Sequence, residues 1–193
     1  MRARTTTITA TLLGLAALTA GCGGSDNTSD AAANAAAERS TSPETAPRSG
    51  SADPRDFGEV LTFTDPVEGG TLELTVLEYE QGVGARTTAD NEFGTAGYIW
   101  AALEIKACAK EGPAEVTRFP WTLSYADGAR IEPSSVTYDD FPKPEYPYEA
   151  TLKTGDCVRG KTVFAVPGTQ RPERVLYSPE SLPEPAEWVV PEA

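Results

Sequence analysis

From Phe57 onward the apolar positions recur every second residue in short runs, the period of strands with one buried face, and no stretch sustains the 3.6-residue period of a long amphipathic helix. Within residues 71–80, Leu72, Leu74 and Val76 alternate with Glu73 and Thr75. Residues 97–107 give the clearest strand, with Ile99, Ala101, Leu103 and Ile105 on one face and Tyr98, Trp100, Ala102, Glu104 and Lys106 on the other. Trp100 is thereby expected to shield the outer face of its sheet. Residues 156–166 form the second strong strand, with Thr162, Phe164 and Val166 sharing a face before Pro167 and Gly168 end it. Shorter strands are predicted at 59–64, 119–125, 129–132, 174–177 and 186–190, and the Asp127-Gly128 pair marks a hairpin turn. Residues 136–138 read as a short edge. Residues 81–94 read as a polar loop, and 139–148 as an extended one, because Pro142, Pro144 and Pro147 forbid helix and central-strand pairing. Eight or nine strands in about 137 residues predict one all-β domain, residues 57–193, folded as an antiparallel β-sandwich. A partly closed barrel is the alternative.

The amino terminus has a different pattern. Arg2 and Arg4 precede an apolar run from Ile8 to Ala20, which is the layout of a secretory signal and too short for a settled membrane span. The run closes on Leu18, Thr19, Ala20, Gly21 and Cys22, which resembles the lipobox of bacterial lipoproteins. That resemblance implies removal of residues 1–21 and a diacylglyceryl thioether on Cys22, whose two acyl chains anchor stably where one is reversible. Residues 22–56 are rich in Ser, Thr, Ala, Asp, Asn, Pro and Gly without an aromatic or large aliphatic side chain. They cannot bury enough apolar surface to offset ordering entropy and read as a disordered tether. The expected location is the outer face of the cell membrane.

Once Cys22 carries lipid, Cys108 and Cys157 remain, in a compartment where disulfides persist. A bridge between residues 49 apart is worth roughly 4 kcal/mol in the chain-entropy model. Strand parity sharpens the expectation. If Phe164 and Val166 face the core, Cys157 points outward, and Cys108 shares the parity of Trp100 and Glu104. The end of one strand then meets the start of the other, so the predicted bridge staples antiparallel neighbours near a sheet edge.

Charge removes further possibilities. Without the leader the chain holds 14 basic and 29 acidic side chains, a formal charge of −15, which disfavours nucleic acid and a polybasic grip on anionic lipid. There is no histidine, so the usual base for a serine or cysteine nucleophile and the commonest transition-metal ligand are both missing. Asp139 with Asp140, and Asp90 with Asn91 and Glu92, offer oxygen ligands but fall short of the ligand count of a calcium loop. They read as solvated turn residues.

The positions Trp100, Leu103, Glu104 and Ile105, then Trp121, Leu123, Asp127 and Gly128, and finally Gly155, Gly160, Val163, Phe164, Val166 and Pro167 resemble a widespread bacterial extracellular domain of unknown function. That domain is similar to the mycobacterial secreted antigen with an immunoglobulin-like sandwich, and in actinobacteria it often follows a lipobox and a polar tether. The resemblance spans about Glu59 to Val190 and implies a fold and a location. It carries no active-site residues, and the cysteine pair is not general to the family.

No catalytic residue, metal site or cofactor is therefore expected. The expected function is a monomeric, non-enzymatic binding module of the cell envelope, tethered to the membrane through Cys22, whose partner is an envelope protein or polysaccharide. The candidate contact surface is Tyr138, Phe141, Tyr146 and Tyr148, aromatics interleaved with prolines and acids. The preferred expectation for the rings themselves is that they fold back over an open sheet edge, and an exposed sheet face is then the alternative contact. A carboxylate-dependent envelope enzyme and a passive spacer are the other readings, and two carboxylates facing across a cleft would point to the enzyme.

Overall fold

The computed structural model describes residues 53–66 and 69–192. The expected signal segment 1–21, Cys22 and the tether up to residue 52 lie outside the described residues.

Among the described residues ten strands follow one another: β1 (Val60–Thr64), β2 (Thr71–Gln81), β3 (Tyr98–Glu111), β4 (Ala114–Thr117), β5 (Trp121–Ser124), β6 (Arg130–Ile131), β7 (Glu149–Leu152), β8 (Cys157–Pro167), β9 (Arg174–Tyr177) and β10 (Ala186–Val189). One five-residue helix, α1 (Ala89–Phe93), interrupts them inside the segment expected to be a loop. Every pairing between these strands is antiparallel, in a first sheet ordered β1-β2-β3-β8, a second ordered β10-β9-β5-β6, and a ribbon β4-β7.

The two sheets seal their apolar rows against each other. Leu72, Leu74 and Val76 of β2, Ala101, Leu103 and Ile105 of β3, and Phe164 and Val166 of β8 meet Trp121, Leu123, Val175, Tyr177 and Trp188 from the second sheet. Trp121 sits at the centre, its ring 4.7 Å from that of Tyr177 and 5.7 Å from that of Trp188. Burial pushes the phenols of Tyr79, Tyr146 and Tyr177 above their ordinary range and that of Tyr125 up to about 12.

The alternation in β2 breaks once. A register shift between Val76 and Glu78 inserts an extra residue, so odd-numbered Tyr79 joins even-numbered Leu72, Leu74 and Val76 in the core. A bulge of this kind re-aims every side chain beyond it.

β3 is buried on both faces from Trp100 to Ile105. Its second face carries a smaller cluster in which Trp100, 2% exposed, packs with Val83, Ala89, Ala102, Phe141 and Val163. Trp100 thus covers the outer face of its sheet, as expected, and is itself covered. Its indole N–H donates to the Thr87 carbonyl at 2.8 Å. Residues 136–138 contribute Val136 and Tyr138 to this cover and are not a strand.

Three of the sheet edges are short or occupied. β6 is two residues long. The outer edge of β10 is held by Arg55, whose N–H donates to Glu187 O at 2.9 Å and whose carbonyl accepts from the N–H of Val189 at 2.8 Å, so pairing begins within the stretch read as tether. The outer edge of β8 is held by residues 144–146: Tyr146 N–H donates to Lys161 O at 2.9 Å, and Lys161 N–H to Pro144 O at 2.8 Å. Gly160 permits that crossing. A Cβ there would lie 2.3 Å from Tyr146 N and 2.5 Å from Glu145 O, inside any tolerable contact. Gly160→Ala is therefore expected to strip this segment from β8 or displace the strand, at a cost of about 2–3 kcal/mol, in the range of overpacking substitutions. Urea denaturation measures it, and a variant within 0.5 kcal/mol of the wild type would show that the crossing is looser than this.

Candidate functional site

Cys108 and Cys157 face each other as partners at the outer end of the β3–β8 ladder and are joined, with a Cα–Cα distance of 4.1 Å. Cys108 is half-buried and Cys157 exposed, on the outward parity, and β8 is the last strand of its sheet. The bond closes a 49-residue separation and ties together the ends of two of the longest strands.

The aromatic segment folds back over the sheet, as preferred for it, and does not form a four-ring exposed contact surface. Phe141 is 2% exposed and Tyr146 1%, while Tyr138 is half-buried and Tyr148 is 57% exposed. The physical reason is that β3 and β8 need a cover on their outer face and edge. Phe141 packs edge-on against Trp100 at 4.9 Å, Tyr138 lies 5.1 Å from Phe141, and Tyr146 enters the main core. The hydroxyl of Tyr138 donates to the carboxylate of Glu92, drawing the 136–141 cover onto α1. Three of the four rings are thus structural, and only Tyr148 remains available to a partner.

The acidic turns are likewise used within the fold. Asp140 accepts from the backbone N–H of Arg86 at 2.7 Å and lies 3.7 Å from its guanidinium. Asp90 accepts from the hydroxyl of Thr88 and from the N–H of Asn91. Among the described residues no group of three or more His, Cys, Asp or Glu side chains is placed to hold a metal ion.

Tyr148 instead pairs with a residue that the sequence did not single out. Its ring meets that of Phe119 edge to face at 4.8 Å, and Phe119 is 54% exposed. Beneath them the guanidinium of Arg118, a residue only 8% exposed, lies 5.5 Å from the Tyr148 ring and donates to the Tyr146 carbonyl at 3.1 Å. Pro120 ends the run between Phe119 and the strand at Trp121, which leaves Phe119 outside the sheet's alternation. That Pro120 after Phe119 is the one signal in the sequence that points to this exposure.

Phe119 also forms one wall of an open cleft of about 640 Å³, with Tyr98, Thr122, Arg130, Ile131 and Ser178 among the other walls. Tyr98, Ile131 and Glu132 are shared with a second cleft of about 470 Å³ that ends at Phe93, itself 46% exposed. Among the described residues Glu132 is the single carboxylate lining either cleft. A smaller pocket of about 170 Å³, which shares Pro120 with the first cleft, has two, Asp65 and Glu115, beside Phe63 and Tyr177. The two joined clefts thus present exposed rings at both ends with hydroxyls and one ion of each sign between them. That composition suits adhesion to a ligand with apolar and polar faces.

No family model matches the sequence, and no curated protein matches it. Among solved structures, the secreted protein MPT63 of Mycobacterium tuberculosis is 21% identical with a TM-score of 0.56, over 72% of this chain and 99% of that one. The YjhA protein of Bacillus subtilis is 12% identical at a TM-score of 0.49, over 71% of this chain and 99% of that one. YcdA of the same organism, described as a candidate lipoprotein, is 14% identical at 0.46, over 68% of this chain and 38% of that one. The chain is therefore an antiparallel immunoglobulin-like β-sandwich, similar in fold to a secreted mycobacterial protein.

Proposed function

We propose that this chain is a lipid-anchored, extracytoplasmic binding module without catalytic activity, and that its contact surface centres on Phe119 and Tyr148. The supporting observation is the exposure of these two rings, stacked edge to face beside an open cleft. Large aromatics at a surface supply binding energy at low entropic cost, and two adjacent ones make a flat platform suited to an envelope protein or polysaccharide. The lipobox-like ending at Cys22 and the polar composition after it support attachment at the outer face of the membrane.

Photo-crosslinking on intact cells tests this, with the reactive side chain at position 119 or 148 and, as control, at Lys106 on the outer face of β3. A discrete adduct is expected from 119 and 148. It should be lost when the neighbouring ring of the pair is replaced by alanine, with a drop of at least tenfold. Equal labelling from position 106 would remove the surface assignment.

One observation favours a second reading, a carboxylate-dependent enzyme: Asp65 and Glu115 line the same small pocket. Turnover of a wall polymer or peptide that is lost in both Asp65→Asn and Glu115→Gln would favour it over the binding module.

A further inference from the structure

We propose that β1 is a docking strand, and that its occupant is an extended segment of another protein, β-branched or apolar at its centre and basic at both ends. This second site adjoins the cleft beside Phe119 through Pro120, which lines both, but does not depend on the Phe119–Tyr148 pair.

An antiparallel pair alternates between residues that exchange both backbone bonds with the partner and residues whose N–H and C=O point away from it. Beyond β1, the N–H of Asp65 donates to Gly70 O at 2.9 Å, which makes Asp65 and Gly70 a bonded pair. Stepping by two along the register Phe63↔Leu72 and Leu61↔Leu74, those pairs are bonded as well. Val60, Thr62 and Thr64 therefore turn their backbone donors and acceptors outward, and among the described residues nothing meets them. The same three side chains are exposed, Val60 by 51%.

Uncovered edges of this kind are normally blunted by charge, proline or shortness. This molecule uses two of those devices elsewhere, together with a covering segment: β6 has two residues, β8 is walled by 144–146, β10 is held by Arg55, and β4 and β7 each carry a glutamate. β1 reads Val-Leu-Thr-Phe-Thr, five residues with no charge, proline or glycine. Among the described residues it is left open where the others are closed.

The inward residues of β1 supply the second observation. Leu61 lines a largely apolar pocket of about 310 Å³ with Leu182, Pro183 and Pro185. Phe63, two positions on, lines the pocket of about 170 Å³ with Leu72, Pro113 and Pro179. Strand addition takes its affinity from main-chain bonds and its selectivity from pockets that receive alternate side chains. An added strand has two such pockets at the spacing of alternate residues.

Charge decides the occupant. Asp56 and Glu59 lie at one end of β1 and Asp65 at the other, on a chain of formal charge −13. A second copy paired antiparallel about Thr62 would set Glu59 against Asp65 at both ends, and like charges placed opposite destabilise a ladder. Lysine or arginine at the two ends of a partner strand turns both contacts favourable.

The test uses the chain from position 22 onward with Cys22→Ser, labelled for NMR. The probe is a capped seven-residue peptide of alternating Val and Thr between terminal lysines. Its glutamate-ended analogue and an analogue N-methylated at alternate backbone nitrogens serve as comparisons. Saturable downfield shifts are expected at the amides of Val60, Thr62 and Thr64, with at least tenfold weaker binding by both analogues. Thr62→Pro removes an outward N–H that β2 does not use, and it should weaken the lysine-ended peptide at least tenfold while leaving the fold intact. If that variant misfolds, the N-methylated peptide against the unaltered strand decides. Binding that survives N-methylation, no shift at the three amides at millimolar peptide, or a peptide-free dimer through β1 would each overturn the proposal.

Discussion

Trp121→Ala is expected to destabilise the domain by about 3–5 kcal/mol, the range for deleting a fully buried aromatic side chain. Trp121 is inaccessible to solvent at the centre of the second sheet, between the rings of Tyr177 and Trp188, and it faces the apolar row of the first. Its removal costs the transfer energy of the indole and leaves a cavity that rigid strands on either side cannot close. A domain stability of roughly 5–15 kcal/mol makes that loss a large share of the whole. Trp121→Phe keeps an aromatic ring at this fully buried position and forfeits the volume of the second ring. The phenylalanine variant should recover more than half of the loss. Urea denaturation of the three proteins checks the order, and a Trp121→Ala variant within about 1 kcal/mol of wild type would mean that the two sheets are not sealed at this ring.

Breaking the Cys108–Cys157 bond is expected to lower stability by roughly 4 kcal/mol, the chain-entropy value for a 49-residue separation. The loss should be local before it is global. The bond lies at the outer end of the β3–β8 ladder, so the first amides to lose protection on reduction belong to the adjoining pairs, such as Ala107↔Val158. Protection around Trp100↔Ala165, at the far end of the same ladder, should persist longest. Denaturation with and without reductant, with hydrogen exchange at these pairs, reads both effects. An unchanged midpoint on reduction would contradict the staple, as would stoichiometric thiol labelling of the unreduced domain.

Much of this fold is legible in alternation. The even and odd rows of β3 and β8 place Phe164 and Val166 inward and both cysteines outward, and the ladder joins those cysteines as direct partners. Alternation stops being informative where a residue is inserted: the bulge in β2 carries Tyr79 onto the core face, and no local composition marks it. It is also silent for β4 and β7. β4 and β7 bury one or two side chains each and pair only with each other, too little pattern to separate from a loop.

The aromatic segment shows a different limit. Prolines correctly exclude helix and central strand from residues 139–148, though the segment turns and bends instead of running extended, and its rings go where the uncovered face of β3 and the edge of β8 require them, a demand that belongs to the sheet. Phe141 and Tyr146 are buried because Trp100 and Lys161 lie opposite them, residues 41 positions before the first and 15 after the second. The surface pair that results, Phe119 with Tyr148, joins two positions 29 apart that no motif links.

The proposed membrane anchoring depends on Cys22, and mass spectrometry of the protein purified from cells fed an alkyne fatty acid tests that most directly. The expected product begins at Cys22, carries a diacylglyceryl group on its thiol, and loses the acyl label in Cys22→Ser. A chain that begins elsewhere, or that begins at Cys22 with an unmodified thiol and no label, would contradict the anchored placement.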